Sequence, residues 1–222
     1  MAVNEVTKVS SGGNDMQIFT SRPDGDGKSP AVIVIQEIFG VDPHIKDVTT
    51  RFAAEGFFAA APELFHRSGD NTVIPYAEMQ TGFGERQKLS NDDLLADLNA
   101  TVAALKSNPN VDGDNIGIVG FCFGGFVSFM GSTVAGIKAA AVYYGGGILP
   151  RPDAPADAPR YLDEAADSVN APIISFWGAD DGGIPVEAVK TIESTLKGKG
   201  KSIETTIYDG AGHGFFCNDR GS

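Results

Sequence analysis

A short apolar segment that runs into a glycine-rich turn constrains this chain more than any other stretch. Residues 116–119 are apolar and rich in β-branched side chains, which is typical of a strand buried on both faces of a sheet. They lead directly into Gly120-Phe121-Cys122-Phe123-Gly124, with Gly125 following. This spacing is the Gly-x-nucleophile-x-Gly pattern of a sharp strand-to-helix turn, with cysteine where serine usually stands. We therefore predict that Cys122 lies at the tip of a turn that opens a helix.

Glycine is needed on both sides of such a residue because the backbone of the turn is strained and closely packed. A helix that starts at the turn leaves free N–H groups near the sulfur, where they can donate to a developing oxyanion. The pattern thus indicates a nucleophilic thiol at Cys122. The alternative is a buried cysteine in a glycine-rich turn without catalytic function, since free cysteine is among the most buried residue types.

Strand-like and helix-like segments alternate along the rest of the chain. An antiparallel hairpin (residues 5–10 and 16–20) is expected first, followed by strands interleaved with helices, and neither a repeat nor a second domain is visible. We predict one α/β domain over residues 1–222, with a mostly parallel sheet, helices on both faces and an antiparallel N-terminal edge. The predicted strands are 31–35, 57–61, 116–119, 139–144, 172–177 and 202–208, and the predicted helices are 44–55, 91–107, 123–134 and 186–196.

Two segments have no clear pattern. Residues 63–90, here called the lid segment, contain Gly69, Pro75, Gly82 and Gly84 with only short helical possibilities. Loops of this length are usually functional or disordered, and we expect this one to cover a site with Phe65, Tyr76, Met79 and Phe83. Residues 150–159 hold four prolines and are predicted to be an irregular surface excursion.

Chemically reactive side chains follow four predicted strands, at the edge where functional residues of parallel sheets gather. These residues are Glu37, Cys122, the Asp180-Asp181 pair and His213. The order nucleophile, acid, base is the one found in α/β-hydrolases. An ordinary thiol is only a few per cent thiolate at neutral pH, so it needs a histidine base oriented by a carboxylate. Both aspartates lie in one loop, so position alone does not decide which of them orients the histidine.

The remaining titratable candidates have simpler alternatives. His44, at a helix start, is expected on the surface, and His66 remains a second candidate for contact with a substrate. A carboxylate beside a thiol disfavours the thiolate, so Glu37 suggests a cysteine that stays neutral until substrate arrives. The alternative for Glu37 is a surface glutamate in a loop, although Ile35 and Ile38 imply a buried strand end.

Composition excludes several classes of function. The net charge of −12 leaves no basic patch for phosphates and argues against a nucleic-acid partner. Two cysteines form no disulfide framework, and the N-terminus has no signal-peptide pattern, so we expect a cytoplasmic protein. No apolar run approaches the ~20 residues of a membrane span. Three histidines without ligand spacing argue against a metal site, and we expect no cofactor.

Four motifs together carry a family resemblance from about Val6 to the C-terminus. They are Gln36-Glu37-Ile38-Phe39-Gly40, the Gly120–Gly125 turn, Trp177-Gly178-Ala179-Asp180-Asp181 with Ile184-Pro185, and Gly212-His213-Gly214-Phe215. In these the chain resembles the dienelactone hydrolase (carboxymethylenebutenolidase) family of the α/β-hydrolase fold. The resemblance implies opening of an unsaturated lactone through an acyl-cysteine intermediate.

The resemblance also implies a role for each matching residue. Cys122 would be the nucleophile, His213 the base and Asp181 its orienter, and Glu37 would pair with the cysteine at rest. The N–H groups of Ile38 and Phe123 would form the oxyanion hole, where losing one donor typically costs ~10²–10³ in rate.

The chain departs from the family at two places. Family substrates carry a carboxylate held by arginines, one of them four residues after the histidine; here that position is Cys217, and the next arginine is Arg220. Arg86 in the lid segment is a candidate second clamp. The chain stops at Ser222, so we expect the family's final helix to be missing.

Three hypotheses follow, of which a monomeric cysteine-dependent hydrolase of lactones or small esters is the first. The second is a non-hydrolytic, ligand-binding or partner-dependent member of the same fold, suggested by the two departures. The third is a redox-sensing pair formed by Cys122 and Cys217.

Overall fold

One sheet organises the computed structural model, which describes residues 2–25, 27–151, 153–155 and 157–219. Within those residues eight strands pair in the order β1-β2-β4-β3-β5-β6-β7-β8. The strands are β1 (Ala2–Ser11), β2 (Asn14–Pro23), β3 (Ser29–Ile35), β4 (Phe58–Pro62), β5 (Val111–Phe121), β6 (Ile137–Tyr143), β7 (Ile173–Gly178) and β8 (Ile203–Tyr208).

The sheet has the predicted mixture of directions. β1 and β2 form the antiparallel edge, and β2 also pairs antiparallel with β4. From β4 to β8 all neighbouring strands are parallel. The parallel strands end at the same edge of the sheet, so the loops that follow them meet there. The fold class expected from the sequence is confirmed.

Helices cover the sheet on both faces. α1 (Pro43–Ala54) packs on β2 and β4, whereas α3 (Asn91–Ser107) and α4 (Phe123–Gly131) pack on the opposite face against β5. The remaining helices are α2 (Met79–Gln87), α5 (Tyr161–Ala165), α6 (Val186–Gly198) and short 3-10 turns at His66–Ser68, Tyr76–Glu78 and Ala166–Ser168. None of the helices in the described residues is long and apolar enough to cross a membrane.

Alternation along β3 shows why this strand is apolar throughout. Val32 and Val34 belong to the cluster under α1, and Ile33 and Ile35 belong to the larger cluster on the other face. Successive side chains of a strand point to opposite faces, so a strand covered on both sides must be apolar at every position.

Element boundaries differ from the predictions where local signals compete. α3 is capped by Ser90, whose hydroxyl accepts from the Asp93 N–H while Asp93 accepts from the Ser90 N–H. This reciprocal capping box makes Ser90 the cap of α3, whereas the sequence pattern favours Asn91 or Asp92 as the cap. α4 ends at Gly131 rather than residue 134, and the short helix α5 was not predicted.

The prediction that His44 lies on the surface is wrong. His44 is 5% exposed, and its ring packs edge-on against Phe121 and Phe216. Phe216 comes from the segment after His213, and stacks on Phe121 with ring centroids 4.7 Å apart. A contact between residues so far apart in sequence leaves no local pattern, so the helix start alone suggested exposure.

Candidate active site

The turn between β5 and α4 holds Cys122 in a strained conformation. Its backbone has φ 55° and ψ −116°, in the positive-φ region that side chains other than glycine rarely adopt. The Cys122 N–H donates to the Tyr143 carbonyl at 3.1 Å, which ties the turn to the end of β6. Cys122 itself is partly exposed, whereas Phe121 and Phe123 on either side are buried. The turn thus presents the sulfur at the surface of an otherwise buried segment.

The glycines beside Cys122 allow close backbone contacts. A Cβ atom on Gly120 would collide with the Gly124 carbonyl, and one on Gly124 would lie 2.5 Å from the Ile35 and Gln36 carbonyl oxygens. The start of α4 therefore rests directly on the end of β3. The N–H groups in the first turn of any α-helix have no acceptor within the helix. The N–H of Phe123, the first residue of α4, is one of these groups.

Glu37 and Cys122 both follow paired strands at the same edge of the sheet. Ile35 pairs with Gly120 in the parallel register of β3 and β5, and Glu37 and Cys122 come two residues after the members of this pair. Glu37 is 2% exposed, as the flanking isoleucines implied.

The loops after β7 and β8 bring Asp181 and His213 together. His213 Nδ1 lies 2.7 Å from Asp181 Oδ2. The other carboxylate oxygen accepts from the Gly183 N–H at 2.8 Å and the Ile184 N–H at 3.2 Å. Asp181 is 5% exposed, whereas Asp180 is exposed. Of the two aspartates that the sequence left open, Asp181 is the one in contact with the histidine.

Hydrogen bonding controls the protonation of this pair. Burial lowers the pKa of His213, but hydrogen bonds to Asp181 and Cys122 and their negative charges outweigh it and raise the pKa to about 10. Burial opposes the charge on Asp181, yet the bonds from His213, Gly183 and Ile184 hold its pKa below the usual value. Both shifts favour transfer of the thiol proton to Nε2, because the resulting imidazolium donates to Asp181 through Nδ1 and faces the negative charge on Cys122.

A cavity of about 710 Å³ opens over these groups. Its polar floor includes Cys122, Asp181 and His213, and Ile38 and Phe123 lie beside them. The walls are largely apolar and come from α2, α6 and the loops after β6 and β7: Met79, Phe83, Leu149, Pro150, Pro159, Ile184, Pro185, Ala188 and Ile192. Two of the four lid-segment residues expected over a site, Met79 and Phe83, therefore line it. The others do not: Phe65 stacks on Phe123 in the core, and Tyr76 donates to Asp42 at 2.7 Å.

Arg86 supplies positive charge to the cavity wall. Its guanidinium lies 5.1 Å from the ring centroid of Phe123 and 5.6 Å from that of Phe126, and its Nη1 donates to the Leu89 carbonyl at 2.8 Å. No carboxylate among the described residues pairs with it. Burial lowers the pKa of Arg86, which remains far above neutrality because an arginine is always charged in proteins.

Other candidates lie away from the cavity. His66 Nε2 is 3.1 Å from Asp97 Oδ1, in a buried cluster with Arg67. Cys217 is buried and its sulfur lies 3.8 Å from the Tyr76 hydroxyl, and both cysteines are free thiols. Arg220 lies outside the described residues.

Sequence reasoning missed two residues at the site. Arg151 lines the cavity from the proline-rich excursion, which the sequence predicts to be irregular and to shape the pocket but from which it singles out no residue. Its place just beyond the end of β6, at the functional edge of the sheet, was the available signal. Tyr144, also after β6, packs its ring against His213 with centroids 5.2 Å apart and an interplanar angle of 62°, which restricts the imidazole.

The chain is similar to proteins of one family. The dienelactone hydrolase family model matches residues 16–222. A Synechocystis protein named "Putative carboxymethylenebutenolidase" is 35% identical over 223 residues, which cover 98% of this chain and 89% of that protein. An Escherichia coli K12 protein of the same name is 36% identical over 219 residues, covering 97% and 79%. The crystal structure of a "Putative Dienelactone Hydrolase" from Klebsiella pneumoniae superposes with a TM-score of 0.87 at 33% identity, covering 99% of this chain and 90% of that one.

The raised pKa of His213 predicts a pH-dependent stability. The folded protein keeps a proton up to about pH 10 that an ordinary histidine releases near 6.5. This contribution is complete below about pH 6.5 and is lost as the pH rises towards 10, because the unfolded chain then binds fewer protons. In His213→Gln the free energy of unfolding, measured by urea denaturation, should decline less between about pH 7 and pH 9.5 than in the wild type. Equal declines in both proteins would contradict the assignment.

Proposed function

The chain belongs to the dienelactone hydrolase family, and from that premise we propose that it hydrolyses lactones or small carboxylic esters through an acyl-cysteine intermediate on Cys122. One observation carries the proposal: the 2.7 Å contact of His213 with Asp181, in a cavity that also contains Cys122. A nucleophile, a base and an orienting carboxylate at one cavity floor are the parts that acyl transfer needs.

In the first half of the reaction, the Cys122 sulfur attacks the carbonyl carbon. His213 Nε2 receives the thiol proton, and Asp181 stabilises the imidazolium through Nδ1. The carbon–oxygen π electrons move to the carbonyl oxygen, which becomes an oxyanion. When the carbonyl re-forms, the ester C–O bond breaks and His213 returns its proton to the departing oxygen. From a lactone, that oxygen stays attached to the acyl group at the other end of the opened ring.

The N–H groups of Ile38 and Phe123 are the donors for the oxyanion. Both residues lie at the cavity beside Cys122, and Phe123 is the first residue of α4. Fixed donors aimed at developing charge need no reorganisation during the reaction, and each is worth ~10²–10³ in rate.

In the second half, water replaces the leaving group. His213 removes a proton from the water, whose oxygen attacks the acyl carbon, and the thiolate leaves and recovers a proton from His213. Glu37 acts before the first step: its buried carboxylate, two residues after the end of β3, disfavours the thiolate and keeps the thiol neutral until substrate binds.

Arg86 recognises a carboxylate on the substrate. Its guanidinium is held by two aromatic rings and one carbonyl and has no acidic partner among the described residues. A charged hydrogen bond of this type contributes ~1.5–3 kcal/mol. Cys217 stands where the family pattern has an arginine. A substrate carboxylate bound by Arg86 therefore lacks the second arginine that the family pattern places at that position.

Replacement of the nucleophile tests the proposal. Cys122→Ala removes the thiol that forms the acyl intermediate and should lower ester and lactone turnover by at least ~10³-fold, since the residual rate comes from the oxyanion donors and binding alone. Cys217→Ala is the matched control, because it removes the other thiol, and should stay within about threefold of the wild type. Turnover that survives in Cys122→Ala, or that depends equally on Cys217, would refute the acyl-cysteine mechanism.

Substrate charge tests Arg86. Arg86→Met keeps the apolar stem over the phenylalanine rings but loses the guanidinium. For a lactone that carries a carboxylate, kcat/KM should fall about ten- to a hundredfold, which corresponds to ~1.5–3 kcal/mol. For an uncharged aryl acetate it should change by less than about threefold. An equal loss of kcat/KM for both substrates would show that Arg86 supports the shape of the cavity and does not bind the substrate carboxylate.

A further inference from the structure

Helix α2 touches the loop that carries Ile38 at a glycine, Gly82. Within this helix, which is described in full, Gly82 is the only buried residue. A Cβ atom on Gly82 would lie 2.5 Å from the Ile38 carbonyl oxygen and 3.2 Å from Ile38 Cβ. Real Cβ atoms do not approach a backbone oxygen so closely, so any larger side chain would displace the helix or the loop. The backbone of α2 therefore rests on the Ile38 peptide.

The rest of the lid segment holds the same loop on either side of Ile38. The Leu64 N–H donates to Gln36 Oε1 at 3.1 Å, and the Ile74 N–H donates to the Phe39 carbonyl at 2.9 Å. Gln36 and Phe39 are both 0% exposed, so these contacts are fully desolvated. Hydrogen bonds from the lid segment fix the loop before and after Ile38. The close approach of Gly82 restricts the position of the Ile38 peptide itself.

The face of α2 that includes Gly82 also borders the cavity, because Gly82 lies three residues after Met79 and four before Arg86. Met79, Phe83 and Arg86 line it, and their spacing of four and three residues places them on one face of the helix. A displacement of α2 would therefore move the cavity wall and the Ile38 peptide together.

We propose that Gly82 is a positioning residue that sets the place of the Ile38 N–H for the transition state. The inference rests on the proposed function, since it acts through the oxyanion donor assigned there. The lid segment then has two roles, because it covers the substrate and also supports the backbone that stabilises the oxyanion. One face of α2 thus serves both: Gly82 supports the peptide beside the reacting atoms, and Met79, Phe83 and Arg86 border the substrate cavity.

Two glycines of α2 provide a matched pair of variants. Gly82→Ala inserts a methyl group against Ile38, whereas Gly84→Ala, two residues along, meets no atom within 4 Å. Both changes have the same effect on intrinsic helix propensity. For an uncharged aryl ester we expect Gly82→Ala to lower kcat about ten- to a hundredfold with KM within about threefold, because the donor contributes mainly in the transition state. Gly84→Ala should stay within about twofold in both constants.

Alkylation of Cys122 by iodoacetamide separates the donor from the nucleophile. The reaction needs the thiolate but no oxyanion donor, so its rate should stay within about threefold of the wild type in both variants. A parallel loss of alkylation and hydrolysis in Gly82→Ala would overturn the proposal, because the lesion would then lie at the thiol or its access. Unchanged kcat would overturn it as well. Failure of the proposed function has a different signature: the wild type itself would alkylate at Cys122 without turning over any ester or lactone.

A second variant covers the case in which Gly82→Ala does not fold, as judged by thermal melting. Gln36→Met keeps the length of the side chain but removes the acceptor of the Leu64 N–H, and so loosens the same loop from a different side. The same pattern is expected, with lower kcat and retained alkylation. A wild-type kcat in Gln36→Met would overturn support of the donor by the lid segment.

Discussion

The close approach of helix α4 to the ends of β3 and β5 is the constraint on which the site depends. Gly120 and Gly124 allow backbone to touch backbone, with the start of the helix against the Ile35 and Gln36 carbonyls. This contact brings three things to one place: a thiol on a strained turn, the first N–H of a helix, and the loop that holds Glu37 and Ile38. Parallel pairing then sets the ends of β7 and β8 at the same edge, so that Asp181 and His213 follow from topology.

Charge acts locally in this protein. The net charge of −12 would repel an anionic substrate at long range, yet surface charges are screened beyond about 8 Å at physiological ionic strength. Inside the cavity the nearest positive groups therefore dominate, and Arg86 lies there among aromatic rings. The Asp181–His213 pair shows the same principle, because its hydrogen bonds outweigh the burial that opposes both charges. A strongly acidic protein can thus carry a cavity whose wall is positively charged at Arg86.

Local patterns predicted the parts of the molecule that local forces decide. Apolar β-branched runs indicated the central strands, and the glycine spacing around Cys122 identified the turn, since steric limits act between near neighbours. Patterns failed where a residue's position depends on contacts with residues distant in sequence. Burial of His44 depends on Phe216, the choice between Asp180 and Asp181 depends on a loop that ends at His213, and Arg151 reaches the cavity from a segment without periodicity. The contact of Gly82 with Ile38 is of the same kind, because a glycine in a short helix looks only like a weak helix former.

Passage of the acyl group through Cys122 is the central claim, and intact-protein mass spectrometry on samples quenched with acid during turnover of p-nitrophenyl acetate and of a dienelactone tests it most directly. We predict a mass increase equal to one acyl group, which peptide mapping places on Cys122 and which disappears when substrate is exhausted. Steady turnover with no adduct under conditions where deacylation is slow, or an adduct confined to another residue such as Cys217, would contradict it.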